Sequence, residues 1–388
     1  MSQGGGRLLT NLDVLDLSGA NAALAGRLLA EQGARVIRPE PPTGDPMRLE
    51  GPWAGGIPGS ERSLRFVALN SGKLSVELDP ELPEARGTLR ALAEACDATL
   101  LSDTSAWYGM VDVDAIAASG RPVVVVHGFM PGGPYADYAA PESVTMALGG
   151  LLYISGDRGQ PPCLPPEPLS HYFASVWASL ALVSGIRAAR QGGSAAVYRV
   201  SVHEAMATQE HLVRAAAMEG TSIARNGSQH KSVAPATVYP TSDGYAYIYV
   251  SRNHWEPFKR AWDGHDAEWD DPRYLPNGAR RKEAKRLNAA VTSWTANQTT
   301  RALVATLQAQ GVPCLPVNRP SDFAADDQVV ARELFGTVTH PVLGSYRQMR
   351  FPATVDGERA PATRPPLHGE HTEVLAEVLG KAAGGPRA

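Results

Sequence analysis

Along the first 130 residues, short unbroken apolar runs alternate with stretches in which apolar side chains recur at intervals of three and four. An unbroken run of five or so aliphatic residues reads as a strand covered on both faces, whereas the three-and-four spacing reads as one face of a helix. On that basis residues 12–17 (LDVLDL), the ARVIR run, 74–78 (LSVEL), 98–101 (ATLL) and 123–129 (VVVVHGF) are strands. Residues 21–34, 83–95 and 111–118 are the helices between them, and Gly33 falls where a glycine ends a helix. Alternation of this kind predicts βαβ units wound around a mostly parallel, buried sheet.

From 141 to 220 helices dominate, with a long apolar helix at about 171–190 that Ser170 is placed to cap, a strand at 197–201, and another helix from 203. Near Arg225 the texture changes. Two alternating β runs flank a turn at Asp243-Gly244, which is a hairpin signal. Helical patterns follow near 254–262, 279–296 and 299–310, then a short strand at 314–318, together a smaller α+β domain. A β texture returns around 335–355, and a helix at 370–380 ends the pattern.

Composition narrows the class. The 388 residues suffice for two or three folding units, and 43% apolar with 20% charged residues is the balance of a globular protein. Thirty-six Lys and Arg against 40 Asp and Glu leave a net charge of −4, without the basic excess that tracks a phosphate backbone, so nucleic acid is not an expected partner. Cys96, Cys163 and Cys314 are odd in number and widely spaced, which suggests neither a disulfide framework nor a thiolate metal site and suits a cytoplasmic protein. The N-terminus MSQGGGRLL has no basic start before an apolar run, and no window is read as approaching 18 uncharged apolar residues, so no membrane is expected. The first strand–loop–helix has the form of a nucleotide-binding unit, but SGANAALAG lacks G-x-G-x-x-G, so a nicotinamide cofactor is not expected. Neither a P-loop nor H-E-x-x-H is present, and the basic run at 279–286 reads as a solvated helix face.

The candidate chemistry centres on histidine. His171 follows a proline-rich loop and stands in the first turn of the long apolar helix, where unpaired backbone N–H groups disfavour an imidazolium and leave a neutral ring able to act as base or nucleophile. The plainer reading is a satisfied, partly buried side chain. His203, Glu204 and Glu142 are similar polar residues at helix boundaries, each more often structural than catalytic.

Several segments in order, VLDL…LLAEQGARVIRPE, LNSGKLSVELD, HGFMPGGPYADY, VYRVSVHEAM, DGYAYIYVSRNHW, GVPCLPVN and RPPLHGEHTEVLAEVLG, carry a likeness over nearly the whole chain. The chain resembles the family III CoA-transferases, which include carnitine and bile-acid CoA-transferases, formyl-CoA transferase and 2-methylacyl-CoA racemases. The resemblance implies an α/β fold with a Rossmann-like large domain (1–200 and 335–388), a smaller α+β domain (226–325) and connectors at 201–225 and 326–334. It further implies a ring-shaped subunit forming an interlocked dimer, with acyl-CoA bound between the two domains, coenzyme A serving as a substrate moiety, and no metal. The family's nucleophilic aspartate aligns with His171, and the histidine used by its racemases aligns with Pro141. An adenine- and diphosphate-contacting segment aligns with Leu101-Ser102-Asp103, where Asp103 would repel phosphate. On the first loop Ser18, Gly19 and Asn21 stand in place of larger polar residues; Arg38 and Lys73 are candidate phosphate contacts, and Gly128 and Phe129 are retained at a strand end. Three readings follow from the resemblance: a CoA-thioester enzyme adapted around His171 with Glu142 assisting; a non-catalytic subunit paired with an aspartate-bearing paralogue; or a fold reused for a ligand that is not a CoA ester.

Overall fold

The structure, a computed structural model, describes residues 7–166, 168–209 and 224–383. The six strands expected up to residue 201 form one parallel sheet: β1 (Asp13–Leu17), β2 (Arg35–Glu40), β3 (Leu74–Glu77), β4 (Ala98–Ser102), β5 (Val123–His127) and β6 (Val197–Ser201), in the order β3-β2-β1-β4-β5-β6. Every residue of β1, β4 and β5 is buried, because helices cover both faces. On one face the helices Ala23–Glu31 and Leu169–Arg190 pack through Ala25 and Leu29 and through Ala174, Ala178, Leu182 and Ile186, whose spacing of four keeps them on one side of the helix. On the other face Leu89, Leu92 and Val378, from helices Ala85–Ala95 and Glu373–Ala383, close the core over Leu15, Ile37 and Val125. Gly33 has φ +97°, and the backbone N–H of Ala34 donates to the Leu29 carbonyl at 3.1 Å, so the first helix ends at its glycine as its sequence predicts.

The chain divides into two compact units: Met1–Leu152, Pro165–Thr221 and Val330–Ala388 form the first, Tyr153–Leu164 and Ser222–Val329 the second. The sequence placed residues 153–164 in the large domain, and the structure places them in the second unit. There the Arg225 guanidinium lies 5.1 Å from the Tyr153 ring centroid and donates to its carbonyl, and the Gly227 N–H donates to the Gly156 carbonyl. Of the expected connector 201–225, residues 210–223 lie outside the described residues. The second unit carries an antiparallel sheet of β7 (Ala236–Pro240), β8 (Tyr245–Tyr249) and β9 (Cys314–Pro316), with the hairpin turn where Asp243-Gly244 predicts it, over a core rich in tryptophan. In the first unit β10 (Phe335–His340) and β11 (Gly344–Met349) form a second antiparallel pair.

The helix Leu169–Arg190 corrects the reading that no segment approaches a membrane span. By length and composition its 22 residues are apolar enough to cross one, although a face of it is built into the sheet's core.

Candidate functional site

In an open parallel sheet, ligands sit beyond the carboxyl ends of the strands, where chain order reverses direction. Here β1 leads to β2 on one side and β4 to β5 on the other, and a cavity of about 680 Å³ opens beside that reversal. Its walls come from the residues that follow the strands: Ser18–Asn21 after β1, Pro41 and Asp45–Met47 after β2, Asp103–Trp107 after β4, and Gly128 with the Ala136–Pro141 loop after β5. Asn21 is a clasp between two of these loops. Its side-chain amide donates to Asp103 Oδ1 (3.2 Å) and its carbonyl oxygen accepts from the Thr104 hydroxyl (2.9 Å). The other carboxylate oxygen of Asp103 accepts from the Gly128 N–H at 2.8 Å. Gly128 also lets the loops approach, since a β-carbon there would stand 2.4 Å from that of Ala140. Gly128→Ala should therefore displace the 136–141 wall and lower stability by about 1–3 kcal/mol, as overpacking generally does. Urea denaturation measures the loss, and an unchanged midpoint would show that the wall yields freely.

His171 lines the same cavity and also a second one of about 560 Å³, bounded by Arg65, Glu142, Ser143 and Tyr172. It stands in the first turn of Leu169–Arg190 and is 8% exposed. The Ser170 hydroxyl does not cap this helix: Pro168 takes the capping position, and the Glu142 carboxylate accepts from the Ser170 N–H at 2.8 Å. A carboxylate from another helix thus satisfies an end that a local serine was expected to satisfy, and its charge suits the positive helix terminus. The other oxygen of Glu142 faces His171 Nδ1 at 3.6 Å. Nδ1 is enclosed without a hydrogen-bond partner, whereas Nε2 is not among the enclosed, unpartnered atoms. Burial first, and the Arg65 guanidinium second, push the ring down to about 4, so it is neutral at pH 7. A proton on Nδ1, facing the carboxylate, leaves the Nε2 lone pair free.

Arg38 and Lys73 do not reach the cavity. Both are 2% exposed, and their cationic groups point into the sheet. The Arg38 guanidinium binds Asp45, the Ser18 carbonyl and Asp16, while the Lys73 ammonium binds Asp16 (2.7 Å), the Ala23 carbonyl and Asn70. As phosphate contacts these two candidates are corrected: both side chains are buried, and the Lys73 ammonium and the two terminal nitrogens of Arg38 are held by the protein's own oxygens, while Arg38 Nε is enclosed without a partner. Phe129 is likewise off the wall, packed edge-on against Tyr135 and tilted against His203. Sequence reasoning missed Asp45, Glu50, Trp107, Asp137 and Tyr138, which do line the cavity. For Asp45 and Trp107, each five residues past a strand end, that position was the available signal; Glu50, Asp137 and Tyr138 lie ten or eleven residues past theirs and carried none. Among the described residues that line this cavity there is no Lys or Arg.

Against known families, the model of CoA-transferase family III matches residues 9–372. The chain belongs to CoA-transferase family III. Among curated relatives of this family III chain, the succinyl-CoA–D-citramalate CoA-transferase of Chloroflexus aurantiacus is 28% identical over 96% of this chain and 94% of its own length. The succinyl-CoA:(R)-benzylsuccinate CoA-transferase subunit BbsE of Thauera aromatica is 26% identical over 96% and 94%. A crystal structure of a CAIB/BAIF family protein from Brucella suis superposes with a TM-score of 0.83 at 25% identity, covering 96% of this chain and all of that one. The fold as a whole thus has a solved counterpart.

Proposed function

We propose that the protein acts on an acyl-CoA thioester and that His171, where the family's nucleophilic carboxylate would align, meets the thioester carbonyl. Family membership over residues 9–372 supports the substrate class. The observation that carries the role of His171 is its placement: a neutral ring at a helix entrance, Nδ1 towards Glu142, on the wall of the cavity at the sheet's reversal point. Attack by the Nε2 lone pair on the carbonyl carbon breaks the C–S bond and releases CoA thiolate. Glu142 stabilises the positive charge that the ring acquires. An acceptor carboxylate then displaces the ring and forms a mixed anhydride. Thiolate attack on the acceptor's carbonyl gives the new thioester and frees the donor acid, with no net proton change.

The test is turnover itself: incubation with short-chain acyl-CoA and carboxylic acids, with thioesters followed by chromatography. Neither binding nor turnover of any thioester would sink the reading. The pH profile is diagnostic as well. Because burial holds the folded ring near 4 rather than its ordinary 6.5, the active neutral form persists on acidification, and kcat/KM should stay level from pH 7 to 5 and fall only towards pH 4. A fall centred near pH 6.5 contradicts the buried geometry.

One observation favours a second reading. With Arg38 and Lys73 engaged internally and no Lys or Arg among the described residues of the cavity wall, this chain is also suited to serve as the non-catalytic member of a pair with an aspartate-bearing paralogue. The name of its relative from Thauera aromatica calls that protein a subunit. Co-expression with such a paralogue should then yield a complex of fixed ratio that turns over thioesters while this chain alone does not. Support for association, with itself as an interlocked dimer or with such a partner, comes from the outer face of Leu169–Arg190, where Val176, Trp177, Leu180 and Val183 are exposed.

A further inference from the structure

Two cavities meet at His171. The loops beyond the strand ends wall the 680 Å³ cavity, whereas helix Leu64–Asn70, the Gly51-Pro52 segment and the entrance of the long helix wall the 560 Å³ one. Among their described lining residues the two share Pro141 and His171 alone, and the single Lys or Arg on either wall is Arg65, in the second cavity. Leu64, Ala68, Leu69 and Tyr172 give that cavity an apolar lining around it. Arg65 is only partly engaged. Its Nη1 donates to Glu50 at 2.7 Å in a half-exposed pair, of the kind that is held weakly, while Nε and Nη2 make no hydrogen bond among the described residues. That free edge of the guanidinium presents two parallel N–H groups, the arrangement that matches a carboxylate. The same guanidinium is close enough to His171 to help keep its ring neutral.

We infer that Arg65 binds the carboxylate of the acceptor acid beside His171, and that the second cavity takes an acid with an apolar body. The inference rests on the acyl-CoA reading above, which brings a carboxylate to the carbon carried by His171. One oxygen held by Arg65 leaves the other to attack that carbon; the C–Nε2 bond breaks, its electron pair returns to the ring, and no proton moves. A carboxylate entering a partly desolvated cavity has to be matched by a cation or by donors, and Glu142 on the same wall would repel one that Arg65 did not hold. The nucleotide end of the thioester belongs elsewhere, because in an open parallel sheet it lies beyond the strand ends, on the cavity that Arg65 does not line. Leu64, Leu69 and Tyr172 then cover the acid's hydrocarbon, each buried methylene tightening binding about fourfold.

Hexanoate and hexanamide, alike in shape and different in charge, test the site by calorimetric titration of the full chain. Hexanoate should bind at least tenfold more tightly than hexanamide, and Arg65→Gln should erase that gap. Arg65→Lys, which keeps the charge but loses the fork, should restore part of it. Binding should tighten from acetate through butyrate to hexanoate. In turnover with a thioester donor, Arg65→Gln should raise KM for the acid about ten- to a hundredfold and leave that for the thioester within about threefold, a split that lost packing alone does not produce. Coenzyme A alone distinguishes an acid site from a phosphate site, since Arg65→Gln should not move its affinity. Equal binding of hexanoate and hexanamide to the wild-type chain, or a coenzyme A affinity that falls with Arg65→Gln as far as that of hexanoate, overturns the inference and leaves the acyl-CoA reading intact. Silence towards every thioester overturns the acyl-CoA reading, and the hexanoate gap then still decides the Arg65 site.

Discussion

His171→Ala should lower kcat/KM for acyl-CoA turnover at least 100-fold, because removing a nucleophile or base that touches the reacting carbonyl commonly costs that much or more. The loss should appear without a comparable loss of thioester affinity, since Nε2 is proposed to act on the carbonyl in the chemical step rather than to grip the nucleotide. His171→Gln separates chemistry from packing: it nearly fills the same space and can still face Glu142, yet offers no lone pair comparable to Nε2. If the Gln variant retains activity within about tenfold, the imidazole is a spacer. His171→Asp is the converse trial, placing an acyl-accepting carboxylate at a helix entrance whose backbone N–H groups favour its charge. Intact-mass measurement after incubation with a thioester donor should then show a covalent CoA adduct. If no adduct forms although the wild-type chain binds the donor, the Asp103-walled cavity, rather than the absence of a carboxylate, limits exchange. For the non-catalytic reading the expectation reverses: the variants leave the isolated chain as inactive as before, and only the paired complex reports.

How far this site was readable from sequence depended on what each residue needed from elsewhere in the chain. The parallel sheet was legible because its strands are buried on both faces and therefore lose the alternation of a half-exposed strand: the VVVV run of β5 is wholly buried. Gly33 and the Asp243-Gly244 turn were legible because backbone conformation is a local property. The entrance to the long helix was only half legible. His171 falls where its position predicts, but the carboxylate facing it and gripping the Ser170 N–H comes from Glu142, 28 residues before Ser170, and no spacing rule links the two. Arg38 and Lys73 show the same limit more sharply. A basic residue near a strand end is equally consistent with reaching outwards to a ligand or inwards to a carboxylate. Only the fold shows that Asp16, in the middle of LDVLDL, draws both of them inwards. An acid within an otherwise apolar strand was the clue, because a buried carboxylate has to be matched by cations. The attachment of residues 153–164 to the second unit left no local trace, resting as it does on contacts with Arg225 and Gly227 across a long stretch of sequence.

That same buried acid carries the largest stability effect expected in the molecule. Asp16 is completely enclosed, with Lys73 Nζ at 2.7 Å, Arg38 at 3.3 Å, and the Ser18 N–H and hydroxyl donating to its second oxygen. Burial alone would raise its carboxyl, but the Lys73 ammonium and the Arg38 guanidinium outweigh it and hold the group below its ordinary value. Burial also pulls Lys73 down to about 8 against the opposing pull of Asp16, which still leaves it protonated at pH 7. Asp16→Asn keeps the shape and removes the charge, leaving an ammonium buried with Arg38 as its neighbour and no carboxylate of its own. Breaking one side of a buried pair costs about 3–5 kcal/mol, a large share of the roughly 5–15 kcal/mol that holds a domain together. Urea denaturation should show that drop, and a loss below about 1 kcal/mol would mean that Asp45 compensates by closing on both cations. If the single variant fails to fold, Asp16→Asn with Lys73→Met should recover part of the stability, because it removes the orphaned ammonium together with the acid. Acid titration supplies the independent check. A carboxyl depressed in the folded state contributes stability that is full above its unfolded value and is lost as pH falls through the folded one. The wild-type chain should therefore lose stability on acidification below about pH 4, and the Asn variant, with no proton to take up at this position, should show a shallower loss over the same range.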